Sequence, residues 1–252
     1  MIEITAFSAT VGLLLGSFFN VVAYRLPKRL SVVAGRSHCP SCGEMVRAYD
    51  NVPVVSWLLL RGRCRHCAEP ISARYPVVEA LTAVLMAAVA LVHADDTTKL
   101  VLGLVLVAVL VPLTLIDLEH RLLPNVITGP AAVLAIVLGL ALDPGGEPER
   151  LIAAAGAALF FLLAALAYPG GMGMGDVKLA GVLGLFLGAP VAVALLVALV
   201  SGVLVGTLVV ARKGVAAGRK TKVPFGPFLA LGGVVAILVG AELLDAYTST
   251  FT

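Results

Sequence analysis

Seven long apolar runs, separated by shorter polar segments, dominate the chain. Each is close to the length of about 17–25 residues that an α-helix needs to cross the hydrocarbon core of a bilayer. The pattern therefore predicts seven transmembrane helices. They are residues 4–24, 76–93, 99–117, 124–142, 151–168, 190–211 and 225–244.

An eighth apolar run, residues 177–189, has only 13 residues, which suits a short tilted span or a re-entrant segment. Charge placement decides between seven and eight crossings, because Lys and Arg favour the cytoplasmic side. With eight crossings and an external N-terminus, only Lys99 and Arg150 of the 18 Lys and Arg are external. Seven crossings would place the basic run 212–222 outside. We therefore expect an all-α polytopic membrane protein with about eight transmembrane helices.

The composition agrees with a membrane protein and excludes other classes. Of the residues, 60% are hydrophobic and 13% are charged, whereas an average soluble domain has roughly 25% charged residues. The net charge of +3 is too small to indicate a nucleic-acid partner. Residues 1–24 lack a basic start and a small-residue cleavage site, so they are expected to remain as the first transmembrane helix.

The longest polar segment between predicted spans, residues 25–75, contains every cysteine of the chain. Two C-x-x-C pairs are typical of two metal-binding turns, and four thiolates in a tetrahedron suit a structural Zn²⁺. The positive charge of the segment places it in the reducing cytoplasm, where disulfides are disfavoured. Redox-active or free thiols are the alternative, and the adjacent His38 and His66 are interpreted as surface residues. The four candidate ligands are Cys39, Cys42, Cys64 and Cys67.

Two aspartates stand at the boundaries of apolar runs, where an ionisable group is costly and therefore a functional candidate. Asp117 ends the third run, and Asp176 precedes the short eighth run. Taken singly, each could be an ordinary boundary carboxylate, with Asp176 favoured by a helix dipole. Three alternating glycines within residues 171–175 favour a turn whose backbone can approach a ligand closely. Two carboxyl groups held together share a proton, so one can activate water while the other polarises a carbonyl, as in aspartic proteases.

These features resemble those of the bacterial type IV prepilin peptidases (prepilin leader peptidase and N-methyltransferase), membrane aspartic proteases with a Gly-x-Gly-Asp motif. The likeness runs along nearly the whole chain. Besides both cysteine pairs and the segment around Asp117, the matching segments are 16–22, 25–27, 51–57, 61–64, 74–79, 173–178 and 224–227.

The resemblance implies a bifunctional enzyme of the inner membrane, with its cysteine module in the cytoplasm. It would cut the basic leader from prepilin-like proteins of type IV pili or type II secretion, and then methylate the new N-terminal amine with S-adenosylmethionine. Asp117 and Asp176 match the catalytic pair, and the four cysteines match metal-binding cysteines. The implied division is a first helix (1–24), a cysteine module (25–75) and a peptidase domain of about seven helices (76–252). Prepilin-like proteins and membrane lipids are the expected partners.

Two other functions remain open at this point. In a polytopic transporter, the two aspartates would couple ions near broken helices. In a zinc-bearing membrane scaffold, they would have no chemical role. Both aspartates are predicted at one face of the membrane, and no internal repeat is visible, which favours the peptidase.

Overall fold

The computed structural model of the chain is helical almost throughout and describes residues 1–168, 171–214 and 223–250. Within these ranges it contains no strand, and its two isolated β-bridges join His38 to Met45 and Arg63 to Pro70. A short 3₁₀ turn covers Ala48–Asn51. The helices are α1 (Ile2–Arg25), α2 (Val55–Leu59), α3 (Arg74–Val92), α4 (Thr97–His120), α5 (Asn125–Leu142), α6 (Glu147–Ala167), α7 (Met174–Leu187), α8 (Val191–Lys213) and α9 (Gly226–Ser249).

Seven of the described helices are long and apolar enough to span a membrane, namely all except α2 and α7. This confirms the seven long runs predicted from the sequence. The eighth run forms α7, whose 14 residues fall below the usual length of a span. The eight-crossing topology stays a prediction. Arg212 and Lys213 of the basic run end α8, and the other cations of that run lie outside the described residues.

The chain divides into two compact units, residues 1–94 and 95–252. In the first unit, α1 packs directly against α3. A methyl group added at Gly12 would lie 2.6 Å from the Cα of Ala83, and one at Gly16 would lie 2.7 Å from the Cα of Glu79. Small residues four positions apart let helix backbones approach this closely. The predicted domain boundary at residue 75 is drawn from the change in polarity along the chain, whereas the compact units reflect contacts between residues. The predicted boundary stays a prediction.

In the second unit, α7 packs against α4, α5, α6, α8 and α9. Nine of its residues are buried. From Leu179 to its end, α7 is apolar on every side, as expected for a helix in the interior of a bundle. Gly184 makes the close approach possible, because a side chain there would collide with the backbone of Ala154.

A buried ionic cluster fixes the C-terminal end of α5 and the N-terminal end of α6. Arg150 donates hydrogen bonds of 3.0 Å to Oε2 of Glu147 and to Oδ2 of Asp143. The neighbouring Glu149 accepts a hydrogen bond of 2.9 Å from the backbone N–H of Ala189, just beyond α7. These contacts hold the ends of α5 and α7 that lie farthest from Asp176.

Candidate functional site

Asp117 lies in the last turn of α4 and is 5% exposed. Its Oδ2 accepts a hydrogen bond of 2.9 Å from the backbone N–H of Gly226, the first residue of α9. The first N–H groups of a helix have no partner within the helix and carry the positive end of its dipole, so they stabilise an anion. The start of α9 therefore binds and stabilises the Asp117 carboxylate.

Asp176 is the third residue of α7 and is 9% exposed. Its Oδ2 accepts a hydrogen bond of 3.1 Å from the backbone N–H of Gly173, the N-cap of the same helix. The carboxylate thereby satisfies one of the unpaired donors at this helix terminus. Asp176 is thus fixed by its own helix, whereas Asp117 is fixed by a different one.

Leu123, in the connection after α4, lies against the starts of both α7 and α9. A methyl group at Gly175 would lie 2.9 Å from the Cβ of Leu123, and one at Gly226 would lie 3.2 Å from its Cδ2. The end of α4 and the starts of α7 and α9 therefore converge around Leu123. The structure brings together the two aspartates that the sequence singled out.

Close packing requires only some of the glycines in the turn before Asp176. Gly175 is required, because its neighbour Leu123 leaves no room for a side chain. At Gly173, an added methyl group would meet its nearest neighbour, Oδ2 of Asp176, at an ordinary 3.4 Å. Lys178, two residues beyond Asp176, donates a hydrogen bond of 2.9 Å to Oδ1 of Asn125 at the start of α5.

The four cysteines form a second site, within the first compact unit. Their Sγ atoms all lie within 4.8 Å of one another, and those of Cys39 and Cys67 are 3.7 Å apart. The two C-x-x-C turns have matching backbone hydrogen bonds: Cys39 N–H donates to the Glu44 carbonyl at 2.9 Å, and Cys64 N–H donates to the Glu69 carbonyl at 2.8 Å. Two equivalent turns that present four thiols to one point fit a tetrahedral Zn²⁺.

The thiols of this cluster differ in acidity. Hydrogen bonds from the backbone N–H groups of Cys42 and Ser41 lower the pKa of the Cys39 thiol to about 6. The backbone N–H of Glu69 lowers the pKa of Cys67, but partial desolvation and the thiols of Cys42, Cys64 and Cys39 together raise it to about 12. Metal ligation needs every thiol deprotonated, so a divalent cation would resolve this competition for protons.

The surroundings of the cysteine cluster are held by polar contacts within the module. Arg65, between the second pair of cysteines, donates a hydrogen bond of 2.9 Å to Oδ2 of Asp50 and so lowers the pKa of that carboxyl group. Trp57 donates from Nε1 to the Ile71 carbonyl at 3.0 Å, and its ring covers Gly62. His66 is exposed and lies 3.9 Å from a carboxylate oxygen of Glu44, as expected for a surface residue.

Two residues of the aspartate site, Gly226 and Leu123, and the buried Glu79 outside both sites were not predicted from the sequence. Gly226 belongs to the matching segment 224–227, whose role could not be read without knowing what it contacts. Leu123 has no signal beyond lying between Asp117 and the next helix. Glu79, the last residue of the matching segment 74–79, proves to be 7% exposed within α3.

Two family models match consecutive parts of the chain. The Bacterial Peptidase A24 N-terminal domain matches residues 10–93, and the Type IV leader peptidase family matches residues 104–210. These matches divide the chain where the two compact units divide it.

Several curated proteins named "Prepilin leader peptidase/N-methyltransferase" are similar to this chain. The protein of Aeromonas hydrophila is 36% identical over 95% of this chain and 92% of its own length. The protein of Xanthomonas campestris pv. campestris is 35% identical over 95% and 93%, respectively. The protein of Myxococcus xanthus is 41% identical over 84% of this chain, but the match spans only 65% of that longer protein. No solved structure matches the chain.

Proposed function

This chain belongs to the type IV leader peptidase family, and from that premise we propose that it is a membrane aspartic endopeptidase whose catalytic pair is Asp117 and Asp176. Its substrates are prepilin-like proteins, from which it removes a basic leader after a glycine. It then methylates the new N-terminal amine with S-adenosylmethionine. The resemblance inferred from the sequence is confirmed by the relatives, and so is the assignment to an enzyme class.

The observation that carries the proposal is the seating of the two carboxyl groups. Each is buried, each accepts a backbone N–H at a helix start, and Leu123 packs beside both of those helix starts. Rigid seats of this kind keep a catalytic group in place while a substrate binds.

Such a pair supports peptide hydrolysis by acid–base catalysis. One carboxylate accepts a proton from a water molecule as the water oxygen attacks the carbonyl carbon of the scissile bond. The other carboxyl group, protonated, gives its proton to the carbonyl oxygen. When the tetrahedral intermediate collapses, the C–N bond breaks and the amine leaves with a proton from the pair. A glycine before the scissile bond suits a site bounded by close-packed helix ends.

The cysteine cluster supports a structural zinc site. Cys39, Cys42, Cys64 and Cys67 would hold the ion and stabilise a module too small to bury a core of its own. We place the module on the cytoplasmic side of the inner membrane, because it carries nine of the 18 Lys and Arg residues. On that topology the two aspartates lie at the same face, where a leader emerging from the bilayer would reach them.

The transporter and scaffold alternatives have less support. The carboxyl groups of Asp117 and Asp176 lie at helix ends, whereas coupling sites of secondary transporters lie near the middle of the bilayer. The relatives are named as enzymes, which gives these alternatives no support.

Co-expression with a prepilin-like protein that carries a basic leader tests the proposal. Intact-mass spectrometry should show loss of the leader and, on the new N-terminus, the mass of one added methyl group. An uncut substrate beside a correctly inserted and abundant enzyme would contradict the proposed function. A cut but unmethylated product would contradict the transferase activity alone.

A further inference from the structure

Glu79 is a buried carboxylate that the peptidase mechanism does not use. It lies in the second turn of α3 and is 7% exposed. The other buried polar residues of the first compact unit are neutral, and they are Ser8, Asn20, Ser56 and Thr82. Glu79 is thus the one buried ionisable side chain of residues 1–94, all of which the structure describes.

The Glu79 carboxylate has a single hydrogen-bond partner in the described structure. Its Oε2 accepts a bond of 2.7 Å from the backbone N–H of Val54, the residue before α2. Val54 has φ 61° and ψ −51°, a conformation that β-branched residues rarely adopt. Backbone strain of this kind persists only where the surroundings enforce it, and it clusters at functional sites.

The segment that carries Val54 is held firmly on its other side. The Ser56 hydroxyl accepts a hydrogen bond of 3.0 Å from the Val52 N–H and donates one of 2.9 Å to the Tyr49 carbonyl. On α1, Asn20 donates a hydrogen bond of 3.4 Å to the carbonyl of Tyr75, one turn before Glu79. The carboxylate is therefore presented by a rigid frame that joins α1, α3 and the start of α2.

Among the described residues, the Glu79 carboxyl group takes part in no ion pair, and the Val54 N–H is its one polar contact. A glutamine would accept the same bond from Val54 without the cost of burying a charge. A buried carboxyl group at a position where a glutamine could make the same contact therefore points to a cationic ligand. The groups that meet this part of α3 from α1 belong to Gly16 and Asn20, neither of which titrates, and Val54 contributes only its backbone. On α3 itself, Arg74 and Tyr75 lie about one turn before Glu79.

We propose that Glu79 binds the new N-terminal ammonium of the cleaved substrate and accepts a proton from it before methyl transfer. This inference rests on the proposed methyltransferase activity. The ammonium gives one proton to the carboxylate, and the freed lone pair forms the N–C bond to the methyl carbon of S-adenosylmethionine. The C–S bond breaks with its electron pair retained by sulfur, which leaves a thioether and a methylated ammonium. Glu79 then releases its proton to water.

The variant Glu79→Gln tests the inference, because it keeps an oxygen for the Val54 N–H and removes the charge. Its matched control is Glu3→Gln, which changes an exposed glutamate of the same unit. Cleavage and methylation are measured in one reaction by mass spectrometry at several values of pH. At pH 7 we expect Glu79→Gln to cleave normally and to methylate at least 10-fold more slowly than the wild type.

The pH dependence of methylation distinguishes a role of Glu79 in proton transfer from a purely structural role. Because a free α-amino group has a pKa of about 8, the methylation defect of Glu79→Gln should shrink above that pH, where the amine loses its proton without help. A purely structural role would leave the defect unchanged across the same range. Glu79→Asp retains the charge and should recover part of the activity.

Results that contradict the role of Glu79 differ from results that contradict the proposed function. Normal methylation by Glu79→Gln at pH 7, with an active wild type, would overturn the inference. So would a methylation defect that does not change with pH. A raised KM for S-adenosylmethionine with an unchanged KM for the cleaved peptide would assign the charge to the sulfonium instead, and would also overturn it. A wild type that neither cleaves nor methylates would refute the proposed function itself.

Discussion

The backbone N–H of Gly226 donates a hydrogen bond of 2.9 Å to Oδ2 of Asp117, and this bond joins the start of α9 to the end of α4. The two residues are 109 positions apart in the chain. The approach is so close that a methyl group on Gly226 would lie 2.6 Å from the same oxygen. Glycine at position 226 is thus a condition for seating the Asp117 carboxylate at a helix start.

The variant Gly226→Ala should therefore impair cleavage. The added methyl group must displace the Asp117 carboxylate, and a displacement of about 1 Å costs on the order of 100-fold in rate. The measurement is the rate of peptide cleavage by purified enzyme. Gly206→Ala in α8 is the matched control, because nothing lies within 4 Å of the added methyl group there. Equal rates for the two variants would contradict this role of Gly226.

The variant Gly16→Ala should loosen the packing of α1 on α3. Its methyl group would lie 2.7 Å from the Cα of Glu79, which belongs to a helix backbone and cannot simply rotate away. We expect a loss of about 1–3 kcal/mol in stability, as is usual for overpacking. The midpoint of thermal unfolding in detergent reports it, again against Gly206→Ala. An unchanged midpoint would show that α1 and α3 accommodate the added methyl group without a loss of stability, and would contradict this prediction.

Cysteine replacement tests the zinc site. Purified protein should carry about one Zn²⁺ per chain, and Cys42→Ser or Cys67→Ser should remove it. Ser41→Ala is the matched control, because it changes a side chain between the cysteines without removing a thiolate. Elemental analysis measures the metal. Active enzyme without any metal would contradict the assignment.

The backbone conformation of the two cysteine turns predicts opposite effects for substitutions at equivalent positions. The residue after each pair has a left-handed φ, 74° at Gly43 and 57° at Ala68. A side chain in this region costs about 1–2 kcal/mol. Gly43→Ala should therefore weaken zinc retention against a chelator, and Ala68→Gly should not weaken it. An equal loss in both variants would show that the turns do not share this geometry.

The sequence predicted those parts of the fold that depend on local pattern. Seven spans follow from the length of apolar runs, and the metal cluster follows from the spacing within Cys39–Cys42 and Cys64–Cys67. The position of α7 could not be predicted, because from Leu179 onward this short helix is apolar on every side and has no periodicity that indicates what it packs against.

The sequence could predict only those site residues whose type and position are unusual in themselves. Asp117 and Asp176 stood out because charges are rare at the ends of apolar runs. Gly226 and Leu123 did not, because their importance lies in contacts between segments distant in the chain. Glu79 was hidden for another reason: it follows a polar segment, and only the fold shows that its carboxylate is buried against Val54.

The most direct test of the account replaces each aspartate by the nearly isosteric asparagine and measures cleavage of a prepilin-like substrate by mass spectrometry. Asp117→Asn and Asp176→Asn should each abolish the cleaved product while the protein remains inserted and loaded with zinc. Asp95→Asn, which changes an exposed aspartate between α3 and α4, should cleave at the wild-type rate. Full cleavage by either Asp117→Asn or Asp176→Asn would contradict the catalytic pair.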